Sequence, residues 1–330
     1  MRIAINGFGR IGRIIFRIAF ERGIDIAAVN DIHGVKDAAY LLKYDSVYGK
    51  YDKEIKIEGN NLVIEGKKIA VLNELNPSKL PWKKMGVDMV IESSGVFTDR
   101  RGASKHFKAG AKKVIVTAPG KNMDITVVPG VNDKKLSNKH KIISVASCTT
   151  NCATPVLKVL NDNFGIKSAL LSTDHAYTSN QSILDGFNKN PRRGRAAAQN
   201  IVPTSTGASE AITQALPELK GRISGMAIRV PVADGSLVDI VAELKKSFTV
   251  KSVNDALKKS SNKEMKGIIE YSNEELVSSD IIRNPNSAIV DSLLTLKEGD
   301  LVKVLAWYDN EYGYSCRVVD VINILKKFNK

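Results

Sequence analysis

Cysteine is scarce: the 330-residue chain holds only Cys148, Cys152 and Cys316. So small and odd a set makes no disulfide framework, which excludes a stapled secreted scaffold and leaves thiols expected to stay free in a reducing compartment. Long apolar runs are missing too. No stretch approaches the roughly 18 uncharged apolar residues of a membrane span. The opening Arg2-Ile3-Ala4-Ile5 reads as a strand and carries no signal-peptide pattern, so a cytoplasmic location without a membrane partner is expected. Internal repeats and low-complexity tracts are absent. No basic stretch interleaves with aromatics, which argues against tight nucleic-acid binding.

What is present is a large globular chain. A hydrophobic content of 43% over 330 residues exceeds what one core usually holds, so two domains are expected. Lysine and arginine, at 49, outnumber aspartate and glutamate, at 35, for a net charge of +14. That balance suits anionic substrates, cofactors or nucleic acid, and much of it is a solvated lysine surface.

Up to residue 147, short apolar runs alternate with helical patterns: Ile3–Ile5, Ile26–Val29, Met89–Ile91, Val114–Thr117 and Ile142–Val145. That rhythm predicts an α/β, Rossmann-type, doubly wound parallel sheet. A hairpin about Gly59-Asn60-Asn61 is expected as a peripheral insertion. From residue 148 the strands lengthen and alternate, as in Ser168–Asp174, Gly225–Val230, Leu237–Leu244 and Leu301–Tyr308, predicting an α+β domain with a mixed or antiparallel sheet. The polar, arginine-rich stretch Thr178–Asn200 reads as a long ordered loop. The division expected is 1–147, joined by a C-terminal helix at about 311–330, and 148–310.

Asn6-Gly7-Phe8-Gly9-Arg10-Ile11-Gly12 follows the first strand and opens a helix. Gly7, Gly9 and Gly12 fit the dinucleotide pattern: one for the tight turn, one for backbone approach to pyrophosphate, one for helix against strand. Asp31 ends the second strand about 20 residues on, where a carboxylate accepts ribose hydroxyls and repels a 2′-phosphate. This favours NAD.

Cys148 lies after an apolar strand and before a helical pattern. A helix N-terminus lowers a cysteine pKa from about 8.5 by a unit or more, and the hydroxyls and Asn151 beside Cys148 argue against its burial. Pro155 leaves the helix start open between a first-turn proline and a kink. Cys152 has the wrong spacing for a redox pair and is read as structural. His175, at a strand end facing the loop, is the candidate base.

Ser147-Cys148-Thr149-Thr150-Asn151-Cys152, Asn6–Arg13, His175-Ala176-Tyr177-Thr178, Pro203–Ala208 and Trp307–Ser315 together resemble the glyceraldehyde-3-phosphate dehydrogenase family, end to end and in order. The resemblance implies oxidation of D-glyceraldehyde 3-phosphate with NAD and inorganic phosphate, through a Cys148 hemithioacetal and thioester, with His175 as the thiolate's ion-pair partner and base. It implies Thr178, Arg193 and Arg229 at the substrate phosphate, and Ser147, Thr149, Thr206 and Gly207 at the incoming phosphate. Arg192 and Arg195 are neighbours able to trade roles with Arg193. On the cofactor side it implies Arg10, Ile11, Asp31, Thr117 and Asn310; it implies a homotetramer and no metal. The chain departs from the family at Asp174, where a charge facing inward would raise the His175 pKa, although strand alternation points it away. Gly186-Phe187 departs where a proline dipeptide helps exclude NADP, and Leu75, Tyr312 and Cys316 depart away from the chemistry. Erythrose-4-phosphate dehydrogenase of the same fold is the enzymatic alternative; a basic nucleic-acid-binding protein is the other.

Overall fold

The computed structural model describes residues 1–328, arranged as two compact units. One comprises Met1–Val127, Lys135–Ala146 and the chain from Ser315 on; the other comprises Val128–Lys134 and Ser147–Tyr314. The C-terminal helix runs Tyr312–Lys327, and positions 329 and 330 of the expected helix lie outside the described residues.

The first unit is built on a nine-stranded sheet. Its parallel part runs, in spatial order, Lys67–Leu72, Asp25–Asn30, Arg2–Asn6, Met89–Glu92, Lys113–Val116, Ile142–Ser144 and Ile125–Thr126. The expected hairpin, Ile55–Glu58 with Asn61–Ile64, extends one edge as an antiparallel pair. Strands Arg2–Asn6 and Met89–Glu92 are almost wholly buried, which is why they read as continuous apolar runs instead of alternating ones. Helix Arg10–Glu21 buries Ile14, Ile15 and Ile18 at helical spacing. Each such side chain removed from water contributes about 1.5–3 kcal/mol.

The second unit is built on a seven-stranded mixed sheet in the order Val202–Ser205, Ile223–Val230, Ile166–Ala176, Ser236–Leu244, Leu301–Tyr308, Ala288–Glu298 and Ile269–Ser272. Helix Cys148–Phe164 lies on one face, packing Cys152, Val156, Leu157 and Leu160 into one core with Leu171, Ile240 and Val304. Strand Ile166–Ala176 alternates, with Leu171, Thr173 and His175 buried while Leu170 is exposed and Asp174 half-buried. Pro155 stands inside the helix, so the start is at Cys148 and the proline is accommodated mid-course. Its missing N–H withdraws one i→i−4 bond, which the surrounding core offsets. The stretch Thr178–Asn200 has no strand or α-helix, only the 3-10 turn Pro191–Gly194. Among the described residues, no helix is long and apolar enough to cross a membrane.

Candidate active site

Ser147 is extended and caps the helix: its hydroxyl accepts from the Thr150 N–H at 3.1 Å. Cys148 is therefore the first helical residue, where backbone N–H groups have no intrahelical acceptor and the helix dipole is positive. The preceding Ala146 holds φ at 53°. That left-handed value costs a non-glycine residue about 1–3 kcal/mol, and such strain persists where the surroundings over-determine it.

The neighbours of Cys148 correct one expectation. Thr149, Thr150 and Asn151 are not signs of an open site; all three are buried and hydrogen-bonded. Thr149 Oγ1 lies 2.9 Å from the Tyr308 hydroxyl, which lies 2.8 Å from Thr173 Oγ1. Cys148 itself is only partly exposed.

His175 Nε2 stands 3.4 Å from Cys148 Sγ. Its Nδ1 lies 2.7 Å from the Ala176 carbonyl oxygen, so an Nδ1–H that donates there leaves the Nε2 lone pair facing the sulfur. Strand register supplies the third member: His175 pairs with Arg229 across the parallel strands. Arg229 Nη1 lies 2.9 Å from His175 Nδ1 and donates to the Ala176 carbonyl at 3.0 Å and to Thr178 Oγ1 at 3.4 Å. Its Nε is buried without a hydrogen-bond partner, a cation with binding capacity to spare.

The electrostatics also differ from the sequence-based expectation. Burial pushes the Cys148 thiol up, against the pull of the Arg229 charge and of the amides at the helix start, so the dipole does not win in the free chain. Burial, and then Arg229 and Arg193, bring His175 down to about 3. Asp174 does not raise it. Alternation points that carboxylate to the opposite face, where burial and Asp239 push its own pKa up. The resting pair is a neutral thiol beside a neutral imidazole, and a neutral imidazole is the form that accepts a proton.

The remaining phosphate-site candidates fall into two groups. Thr178 joins Arg229; Arg193 is fixed from Nε to Thr204 Oγ1 at 2.9 Å and from Nη2 to the Ser205 carbonyl at 3.0 Å. Arg195 is engaged by Asp185 at 3.0 Å; Arg192 shares a surface pocket with Pro203, Thr204 and Ser205, while Arg193 is the one hydrogen-bonded to strand Val202–Ser205. Gly207 caps helix Ala208–Ala215, and Thr206 Oγ1 accepts from the Ala208 N–H.

In the first unit, a cleft of about 300 Å³ is lined by Gly7, Gly9 and Asp31 among others. Gly7 has φ 91°, and a Cβ there would lie 2.4 Å from the Ser94 amide nitrogen; one on Gly12 would lie 2.1 Å from the Gly7 carbonyl oxygen. At Gly9 the space is open, as a close-approaching ligand requires. Asp31 accepts from the Phe8 N–H at 2.8 Å and the His33 N–H at 3.1 Å, so it holds the turn as well as facing the cleft. These residues fit an NAD cofactor. Arg10 is ion-paired with Asp45, Ile11 is the second residue of the helix and Thr117 bonds the Glu92 carbonyl; none of the three lines the cleft. Asn310, in the second unit, accepts from the Ser236 hydroxyl at 2.6 Å. Sequence reasoning gave no role to Tyr308, although a tyrosine at a fully buried strand position announces a hydroxyl in need of partners.

Iodoacetate should alkylate Cys148 at least about 100-fold faster than Cys152 or Cys316, both wholly buried. Peptide mapping after brief labelling checks this, and equal labelling of the three would contradict the assignment of the nucleophile.

Residues 147–310 match the family model described as glyceraldehyde 3-phosphate dehydrogenase, C-terminal domain, and residues 1–100 match its NAD binding domain. The chain is 53% identical over 330 residues to glyceraldehyde-3-phosphate dehydrogenase 1 of Bacillus subtilis, covering 99% of this chain and 98% of that one. It is 53% identical to the Geobacillus stearothermophilus glyceraldehyde-3-phosphate dehydrogenase, covering 97% of each. It is 51% identical to a chloroplastic one of Arabidopsis thaliana, covering 98% of this chain and 83% of the relative. With two family domains matched in order and half of all positions identical along nearly its whole length, this chain belongs to the glyceraldehyde-3-phosphate dehydrogenase family.

Proposed function

We propose that this protein oxidises D-glyceraldehyde 3-phosphate to 1,3-bisphosphoglycerate with NAD and inorganic phosphate, in the cytoplasm. In this reading 1–147 and the C-terminal helix bind NAD, and 148–310 carry the chemistry. The observation that carries it is the Cys148 Sγ to His175 Nε2 approach of 3.4 Å, with Arg229 alongside.

The sulfur attacks the aldehyde carbon, and a C–S bond forms as the thiol proton passes to Nε2 of His175 and on to the carbonyl oxygen. The Cys148 N–H at the helix start stabilises the developing oxyanion. His175 then takes the hydroxyl proton of the hemithioacetal as its hydrogen leaves as hydride, for which bound NAD supplies the acceptor. A thioester remains. A phosphate oxygen attacks its carbonyl, the C–S bond breaks and the thiolate recovers a proton. Arg229, Thr178 and Arg193 hold the substrate's phosphate. Ser147, Thr206 and Gly207 hold the incoming one together with the backbone N–H of Thr149, whose hydroxyl is committed to Tyr308. Burial is the main influence that lowers the His175 pKa and the Arg229 charge the next; a dianion on Arg229 offsets that second influence and so returns part of the imidazole's basicity when substrate binds.

Exposed apolar side chains on strands of the second sheet, Leu170, Met226, Leu293 and Leu296, support self-association, read here with the family as a homotetramer.

The testing experiment is a rate matrix of glyceraldehyde 3-phosphate and erythrose 4-phosphate, NAD and NADP, with and without phosphate. NADH formation from glyceraldehyde 3-phosphate is expected to fall at least about tenfold without phosphate, because the thioester then leaves only by slow hydrolysis. A phosphate-independent rate, or faster turnover of erythrose 4-phosphate, removes this assignment.

A further inference from the structure

One buried polar chain in the first unit has no part in the chemistry above. Trp82 and His106 are wholly buried and Glu92 is 2% exposed. The indole N–H can only donate, and it donates to His106 Nδ1 at 3.1 Å. His106 therefore carries its proton on Nε2, which donates to Glu92 Oε2 at 2.9 Å. The same oxygen accepts from Asn6 Nδ2 at 2.6 Å, while Oε1 accepts from the Ser94 N–H at 2.9 Å and the Ser94 hydroxyl at 2.5 Å. Four donors meet the two oxygens, the pattern of a fully engaged carboxylate. With its amide fixed, Asn6 presents Oδ1 to Asn30 Nδ2 at 2.7 Å. Asn30 closes on Glu74, accepting its N–H at 3.0 Å and donating to its carbonyl at 2.9 Å.

Every link in the chain has a defined donor and acceptor, so the side chains hold one orientation. Asn6, Asn30 and Glu92 are register partners at the ends of adjacent parallel strands. Asn6, Asn30, Glu74 and Ser94 line the cleft; Trp82, His106 and Glu92 do not. Gly7 follows Asn6 directly, and Thr117 bonds the Glu92 carbonyl.

We propose that Trp82, His106 and Glu92 are a positioning relay that locks Asn6 and the glycine turn after it in the shape that receives the dinucleotide, so that His106 sets NAD affinity without touching the cofactor. The proposal rests on the NAD reading of the cleft. His106→Leu strips Glu92 of one donor and leaves the indole N–H unmet. His106→Gln keeps one donor and one acceptor.

Calorimetric NAD titration and steady-state kinetics on the full-length protein test the relay. His106→Leu should raise Kd and KM for NAD about tenfold with kcat within about twofold, and His106→Gln should stay within about threefold of wild type. Val114→Ala, a buried truncation outside the relay, should lower the thermal midpoint and leave Kd unmoved. If His106→Leu fails to fold, Trp82→Phe removes only the indole donor and should raise Kd about threefold. Unchanged NAD affinity in these relay variants, a Gln variant as weak as the Leu one, or an equal loss in Val114→Ala overturns the relay alone. A wild-type protein that binds no NAD removes the cofactor reading, and the relay with it.

Discussion

Cys148→Ser should lower dehydrogenase turnover by about 10⁴-fold, some 5 kcal/mol of barrier at about 1.4 kcal/mol per decade, while NAD binding stays within about twofold. The alkoxide is far harder to form than the thiolate, and the acyl ester that would follow is a poorer acyl donor to phosphate than a thioester. Nothing in the fold opposes the substitution. The side chains are nearly isosteric, the cap is made by Ser147, and Cys148 only borders the core, which is filled from Cys152 on. The thermal midpoint should therefore move by no more than about 2 °C, and the glycine cleft belongs to the other unit. Stopped-flow NADH absorbance and NAD titration read the two quantities. A serine variant retaining a tenth of the wild-type rate would remove Cys148 from the mechanism.

His175→Asn should reduce kcat about 10³-fold, within the range for loss of a positioned general base. It should also change how stability responds to acid. In the folded chain His175 stays neutral down to about pH 3, whereas in the unfolded chain it protonates near its ordinary value of 6.5. Between those limits the unfolded state binds the extra proton. The wild-type contribution of this residue is thus fully present above about pH 6.5 and is lost as pH falls, by up to about 1.4 kcal/mol per pH unit. The asparagine variant lacks this term. Its denaturation midpoint should fall less than wild type between pH 7 and pH 4, and parallel curves would contradict the neutral, buried imidazole.

Much of the fold was legible because its signals are local. Two periodicities separate the parallel sheet of the first unit from the alternating strands of the second, and the spacing of Gly7 and Gly12 already announces the steric limits found at both positions. The same alternation that marked strand Ile166–Ala176 also fixed the fate of Asp174. Local signals failed where burial decides. Thr149, Thr150 and Asn151 look like an exposed polar cluster in sequence, yet each has a partner beneath the surface, and Thr149 finds its own in Tyr308, 159 positions away. The relay through Trp82 and His106 was invisible for the same reason: an indole, an imidazole and a carboxylate 10 to 24 positions apart carry no spacing rule.

The sequence alone determined the succession of strands and helices along the chain and the turn that only glycine can make, and it offered Cys148 and His175 as candidates, the histidine chiefly through the family resemblance. Tertiary structure decided the charge they carry and the groups that tune them. Sγ meets Nε2 across 27 positions and Arg229 meets His175 across 54. Protonation depends on solvent exclusion and on charges a few ångströms away, and both are set by which distant strands lie side by side.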